Sequence, residues 1–414
     1  MKKNLFKDYA LNEKHPDFQK AIARNKPLYQ RKNDLRNEFG RDYTRIIFSQ
    51  AYRRLKHKTQ VFFAVKDDHV CTRSEHVNLV ESISYTIANY LGLNTELTKA
   101  ISVGHDLGHA PFGHGGEQII NELAKNNGLE SFWHERNSLH FIDDIETLED
   151  NLHHRHNLNL TYAVRDGIIS HCGEMNQKNI IKRNEYIDLN DFTSAGLYNP
   201  FTWEGCVVKM SDKIAYLARD IEDALRLKVL KENKVEVLRA SLNNISSSYE
   251  FSAINNGTVV NYFIQDVCKN SSPENGISLS NEAFEIMKTI MKFNYQNIYL
   301  IDRVQIHANY VKLILNSIFD FFMKYELLIR DSDTNVIDEL IKDKNQFPHA
   351  INGYVHWLEK YSCMNGLKRL DVYENKIVYN FLEDDKAFVK SIIDYLSGMS
   401  DEYIIQIFNE LISF

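Results

Sequence analysis

Residues 105–114 read "HDLGHAPFGH", three histidines and an aspartate in ten residues, with Gly, Pro and Phe between them. Imidazole and carboxylate both bind divalent metals, and imidazole titrates near neutral pH, so the stretch suits a metal, a proton transfer or both. His105 and Asp106 are adjacent, and on a helix adjacent side chains project about 100 degrees apart. They can meet one ion only from the centre of a helical assembly whose other helices supply further donors. His76 stands upstream in "TRSEHVNLV" (72–80) and Asp212 downstream in "VKMSDKIAYLARD" (208–220). Two imidazoles and two carboxylates would leave octahedral positions for water and substrate, a pattern for Mg, Mn, Fe or a related ion.

The flanks read as helix. "EHVNLVESISYTIANYLGL" (75–93) places Val77, Val80, Ile83, Ile87 and Leu91 at three- and four-residue steps, with Gly92 as the stop. The run from Thr95 carries Leu97, Ile101 and Leu107 along one side and is expected to continue to Pro111. Residues 205–230 are helical by period. So are "ANYVKLILNSIFDFFMKYELLI" (308–329) and "DKAFVKSIIDYLSGMSDEYIIQIFNELI" (385–412). The 414 residues contain 43% apolar and 25% charged side chains with only 17 Gly and 6 Pro, too little punctuation for an all-β fold. An all-α class follows. The expected organisation is an N-terminal arm at 1–30, a catalytic core at 31–235 and a C-terminal helical region at 236–414. The polar "NNISSSYEFSAINNGT" (243–258) is read as a loop or insertion near that second boundary.

Composition excludes some roles. The net charge of -7 argues against a generic polyanion binder, because nonspecific nucleic-acid affinity needs clustered Lys and Arg. Five scattered cysteines without a CxxC pair suit a reducing compartment, and the cytoplasm is the expected setting. No apolar stretch suggests a signal peptide or a membrane span.

The blocks "RDYTRIIFSQAYRRLKHKTQVF" (41–62), "TRSEHVNLV", "GHDLGHAPFGHGGE" (104–117), "LNLTYAVRDGIISH" (158–171) and "VVKMSDKIAYLARDIEDA" (207–224) stand in one order over residues 30–230. They closely resemble those of the deoxyguanosinetriphosphate triphosphohydrolase family within the HD-domain superfamily. The resemblance implies an HD-domain helical bundle with additional C-terminal helices. It also implies cleavage of a deoxynucleoside triphosphate (dNTP) at the α-phosphorus into deoxynucleoside and triphosphate. By it, His76, His105, Asp106 and Asp212 fall on the metal ligands, and His114 with Glu117 on the catalytic dyad.

Three residues apart, His114 and Glu117 share a helical face, so the carboxylate can fix the imidazole's tautomer while His114 moves a proton to or from the reacting oxygens. His109, four residues after His105, can support a metal ligand or donate to phosphate, and the family it resembles has a histidine there too; His134 with Glu135 in "FWHERNSLHF" (132–141) resembles a further active-site pair of that family. For substrate, Arg73 lies one turn before His76 and can grip phosphate. Lys213 and Tyr216 follow Asp212, and Asp220 lies one turn further on. Gln60 corresponds to a family position that contacts the deoxyribose. His57 departs from the Asp or Gly more usual before "KTQVF", a difference on the substrate side.

Other features read as structural. "NLHHRHNLNL" (151–160) suits a loop surface, His171 and Cys172 suit packing or capping, and the aromatics of "FNYQNIYLIDRVQIHANY" (293–310) suit the core. The resemblance also implies a homo-oligomer, tetramer or hexamer, and a second dNTP as allosteric activator. Two other functions fit an HD domain: a 5'-nucleotidase or phosphodiesterase, and a catalytically silent nucleotide-binding regulator. The "HGGE" and "KTQVF" blocks speak against the first, and the intact ligands and dyad against the second.

Overall fold

A computed structural model describes residues 4–28, 33–62, 67–172, 177–326, 336–364 and 369–413. The expected end of the N-terminal arm, at residue 30, lies outside these, as does the end of the helical run expected to 329. The principal helices are α1 (Glu38–Phe48), α2 (Arg73–Leu91), α3 (Thr95–Gly104), α4 (Gly113–Asn126), α5 (His134–His140), α6 (Tyr162–Ile169), α7 (Trp203–Arg226), α8 (Glu232–Ile245), α9 (Asn256–Asn270), α10 (Asn281–Asn294), α11 (Asp302–Met323), α12 (Val336–Lys342), α13 (Pro348–Tyr361), α14 (Ala387–Gly398) and α15 (Asp401–Ile412). The described strands are two- or three-residue pairs, such as Thr147–Glu149 antiparallel to Arg155–Asn157. The class is all-α. No described helix is long and apolar enough to cross a membrane.

The chain forms two compact units, both discontinuous in sequence. The first comprises Met1–Ile47, Val65–Asp106 and Leu160–Ile306. Its centre is α7, whose N-cap Thr202 accepts the Gly205 N–H and whose Val207, Met210, Ile214, Leu217 and Ile221 are fully buried. Polar residues of α7, Lys209, Ser211 and Lys213, are buried too, so α7 is enclosed on nearly every side, with α2, α3, α6, α9 and α10 packed against it. Each enclosed Leu or Ile contributes about 1.5–3 kcal/mol of burial. Against α7 lies α2, opened by a capping box in which Thr72 and Glu75 satisfy each other's backbone N–H, and closed by Gly92 at φ 85°, where the sequence places its stop.

The second unit comprises Phe48–Ala64, Leu107–Asn159 and His307–Phe414. Here α4 packs on α14, and α13 joins α12, α14 and α15 around Phe322, Tyr354, Leu358, Leu396 and Ile404. The run expected from 385 to 412 is two helices, because Ser400 caps α15 by accepting the Tyr403 N–H.

Two expectations are corrected. The helix from Thr95 ends at Gly104 rather than at Pro111, and the chain turns through His105–Gly108, so Leu107 does not extend its face and His105 and Asp106 sit at a helix exit. The aromatic segment 293–310 is not uniformly core: five residues from Tyr295 form a π turn that breaks the helical period, burying Ile298 but leaving Tyr295, Leu300, Ile306 and Tyr310 exposed.

Candidate active site

The residues expected at the site fall into two sets, one in each unit. In the first, His76 projects from the first turn of α2, Asp212 from the middle of α7, and His105 and Asp106 follow α3. His76 Nε2 lies 3.0 Å from Asp212 Oδ1, and His105 Nε2 lies 3.4 Å from Asp106 Oδ1 and 3.8 Å from Asp212 Oδ1. One donor atom each from His76, His105 and Asp212 come within 4.8 Å of one another. His105 Nδ1 donates to the Ser102 carbonyl at 2.6 Å, which turns Nε2 toward the carboxylates and makes it the atom that a neutral ring would offer to a metal. Lone pairs and anions converging in a buried space is a donor set suited to a divalent cation, and a backbone carbonyl orienting the imidazole is the usual outer support of a metal-binding histidine.

The charges agree with this. Burial alone would lower the His76 imidazole, but the Asp212 hydrogen bond and the Asp106 and Asp212 charges raise it instead. Burial would raise Asp212, yet the His76 hydrogen bond and the neighbouring imidazoles hold it well below the usual carboxylate range.

Arg73, expected to grip phosphate, donates from Nη1 to Asp106 Oδ2 at 2.8 Å, with both side chains buried. Its Nε is buried with no hydrogen-bond partner among the described residues. Beyond Asp212 on α7, burial and then the Lys209 charge one turn back push Lys213 down to about 8. Tyr216 is partly exposed, and Asp220 is buried and accepts a hydrogen bond from Tyr299. Tyr299, on the π turn, is a neighbour that sequence spacing did not single out.

The second set surrounds the start of α4. Phe112 takes a left-handed backbone (φ 62°) that turns the chain into the helix, and His114 and Glu117 then share a face, with His114 Nδ1 3.3 Å from Glu117 Oε2. Glu117 also accepts the His134 backbone N–H at 2.8 Å and lies 3.2 Å from His134 Nδ1. Burial would raise this carboxyl, but the His134 charge and the hydrogen bonds of His114 and His134 hold it far below its ordinary value. His109 stacks on His134 with ring centroids 3.8 Å apart, and Glu135 is buried beside it. The His114 side chain remains 69% exposed, so the ring that could carry a proton is open to what binds there.

Gln60 is fixed in the same unit. Lys58 donates to the His109 and Ser397 carbonyls, and Thr59 donates through N and Oγ1 to Asp401 Oδ2 at 3.0 and 2.7 Å. Asp401 Oδ1 accepts the Phe112 N–H at 2.9 Å, so one buried carboxylate ties the segment before Gln60 to the turn before His114. Gln60 Oε1 is buried without a protein partner among the described residues. His153, His154 and His156 lie on or beside the short hairpin and pair with Glu149, Glu374 and Asp150, as suits a surface.

The HD-domain family model matches residues 73–217, from Arg73 to just past Tyr216. A deoxyguanosinetriphosphate triphosphohydrolase-like protein of Caldanaerobacter subterraneus subsp. tengcongensis is 35% identical over 301 residues, covering 72% of this chain and 76% of that protein. This chain belongs to the deoxyguanosinetriphosphate triphosphohydrolase-like family. Another member of that family, from Clostridium tetani, is 30% identical over 390 residues, 93% of this chain and 88% of its own length. One from Rickettsia bellii is 29% identical over 398 residues, covering 91% and 92%. As an HD-domain member of the deoxyguanosinetriphosphate triphosphohydrolase-like family, the chain is a metal-dependent phosphohydrolase, and its His and Asp donors lie within the matched span.

Proposed function

We propose that this protein hydrolyses a deoxynucleoside triphosphate at the α-phosphorus, with a divalent ion held by His76, His105, Asp106 and Asp212. The observation that carries this is the convergence of imidazole and carboxylate donors within 4.8 Å, beside a buried Arg73 whose Nε has no protein acceptor among the described residues. An unmatched guanidinium N–H is costly to bury and finds its partner in an oxyanion. The names of the relatives supply the triphosphate.

A divalent ion bound there supplies Lewis-acid charge to phosphate oxygens. The chain's own residues do the rest. Arg73, Lys213 and Tyr216 bind and orient the phosphates. Gln60 meets the sugar, its buried Oε1 accepting from a hydroxyl, and Asp220 stands further along the same helix as a substrate contact. Glu117 holds the His114 ring through Nδ1, and His114 moves a proton at Nε2, with His109 and His134 packed beside the dyad as supporting groups. Water oxygen joins the α-phosphorus, the bond to the 5' oxygen breaks, and that oxygen leaves with a proton as the deoxynucleoside hydroxyl, leaving triphosphate.

The test is product analysis by anion exchange after incubation with each dNTP and NTP singly, and with the four dNTPs mixed, in Mn or Mg. Deoxynucleoside with intact triphosphate is the expected result. Monophosphate or free phosphate would replace this reading with a nucleotidase or phosphodiesterase. Turnover confined to the mixture would support an activating second dNTP, and light scattering tests the homo-oligomer that the family resemblance implies.

A further inference from the structure

We propose that His171 is a fifth protein donor to the divalent ion, an inference that rests on the metal reading above. The structural parallel with His105 leads to it. Helices α3 and α6 both end shortly before a histidine, and each histidine turns Nδ1 onto the carbonyl three residues back, His105 onto Ser102 and His171 onto Ile168, both at 2.6 Å. A carbonyl only accepts, so both rings carry the proton on Nδ1 and both present Nε2 as a lone pair when neutral.

The two helix ends are brought together by paired glycines. A Cβ on Gly104 would come within 2.5 Å of Ile168 Cδ1, and one on Gly167 within 2.5 Å of Ile101 Cδ1. This close approach sets the His105 and His171 rings edge to face, with centroids 4.9 Å apart. His171 is 1% exposed, and one donor atom each from His105, Asp106 and His171 lie within 4.8 Å of one another. His105 thus belongs to two overlapping donor groups, one with His76 and Asp212 and one with Asp106 and His171.

Three imidazoles and two carboxylates thus meet at one point of the fold, a donor set of the kind that transition metals take. Adding a third imidazole also makes the set richer in nitrogen, which favours Fe, Co or Ni over Mg. The sequence reading places His171 with packing or capping residues; it lies 66 positions after His105, and the packing of α3 on α6 brings the two together.

The test is pulsed EPR of the full chain loaded with Mn²⁺, which reads the imidazole nitrogens bound to the ion, alongside calorimetric Mn²⁺ and Mg²⁺ titrations of wild type, His171→Gln and His105→Ala. Three bound imidazoles in wild type are expected, with His171→Gln losing one and binding Mn²⁺ at least about tenfold more weakly. Two imidazoles, unchanged in His171→Gln while His105→Ala loses the ion, would overturn the proposal and leave the metal reading standing. No bound imidazole at all, with His105→Ala binding as wild type does, would bring down the metal reading itself. The wild-type spectrum decides the matter even where a variant fails to fold.

Discussion

Arg73 Nη1 donates to Asp106 Oδ2 at 2.8 Å in a setting where neither side chain is more than 3% exposed. Asp106 therefore neutralises a buried guanidinium as well as facing the His105 lone pair. Asp106→Ala is expected to abolish metal binding and turnover and, separately, to destabilise the metal-free protein by about 3–5 kcal/mol, because it strands a buried charge. His105→Ala should lose the metal too but spare that ion pair. Elemental analysis and urea unfolding in EDTA separate the effects. Metal retained in both variants would refute the ligand assignment, and equal unfolding midpoints in EDTA would refute the second role of Asp106.

His114 is the exposed partner of a half-buried, anionic Glu117, so its removal should leave the core and the metal donors intact. His114→Ala is expected to lower kcat by about 10²- to 10⁴-fold with metal content unchanged. Near-normal kcat would remove His114 from the proton transfer.

Asp401 is where the candidate site depends on the C-terminal helices. Its carboxylate accepts from Thr59 N, Thr59 Oγ1 and Phe112 N, and the last of these secures a left-handed phenylalanine two residues before His114. Asp401→Ala strands buried N–H donors at about 1–3 kcal/mol each and releases a strained backbone. We expect a stability loss of about 2–4 kcal/mol and a fall in kcat, with Asp401→Asn intermediate because it keeps one acceptor. Crystal structures and kcat of both variants check this. An Asp401→Ala protein with wild-type kcat would show that the turn holds without it.

What the sequence made legible was local. The apolar steps from Val77 to Leu91 marked α2 and its stop at Gly92, and the spacing of His114 and Glu117 implied a shared face. What it hid depends on long-range packing. Asp401 lies 342 residues from Thr59, and Tyr299 reaches Asp220 across 79. No local period encodes such pairings. The expected continuation of α3 through Leu107 failed because Gly104 and Gly108 flank a turn that apolar period alone does not reveal. The aromatics of 293–310 failed as core because a π turn interrupts the spacing on which that expectation rests.

His140 gives a pH prediction away from the chemistry. Its Nδ1 lies 2.9 Å from Asp144 Oδ2 and its Nε2 2.8 Å from Asp394 Oδ2, while Tyr379 donates to Asp394 and Lys376 to Asp144. Burial would lower the imidazole, but the Asp394 charge and the hydrogen bonds of both aspartates raise it to about 9. Because the folded value exceeds the ordinary 6.5, the stabilisation is fully present below about pH 6.5 and is lost as pH rises through about 9. The gap corresponds to something on the order of 3 kcal/mol. Urea unfolding of wild type and His140→Gln from pH 6 to 9.5 should show the wild-type advantage shrinking across that window, since the amide cannot titrate. Parallel curves for the two proteins would mean that the two aspartates do not hold His140 as a cation.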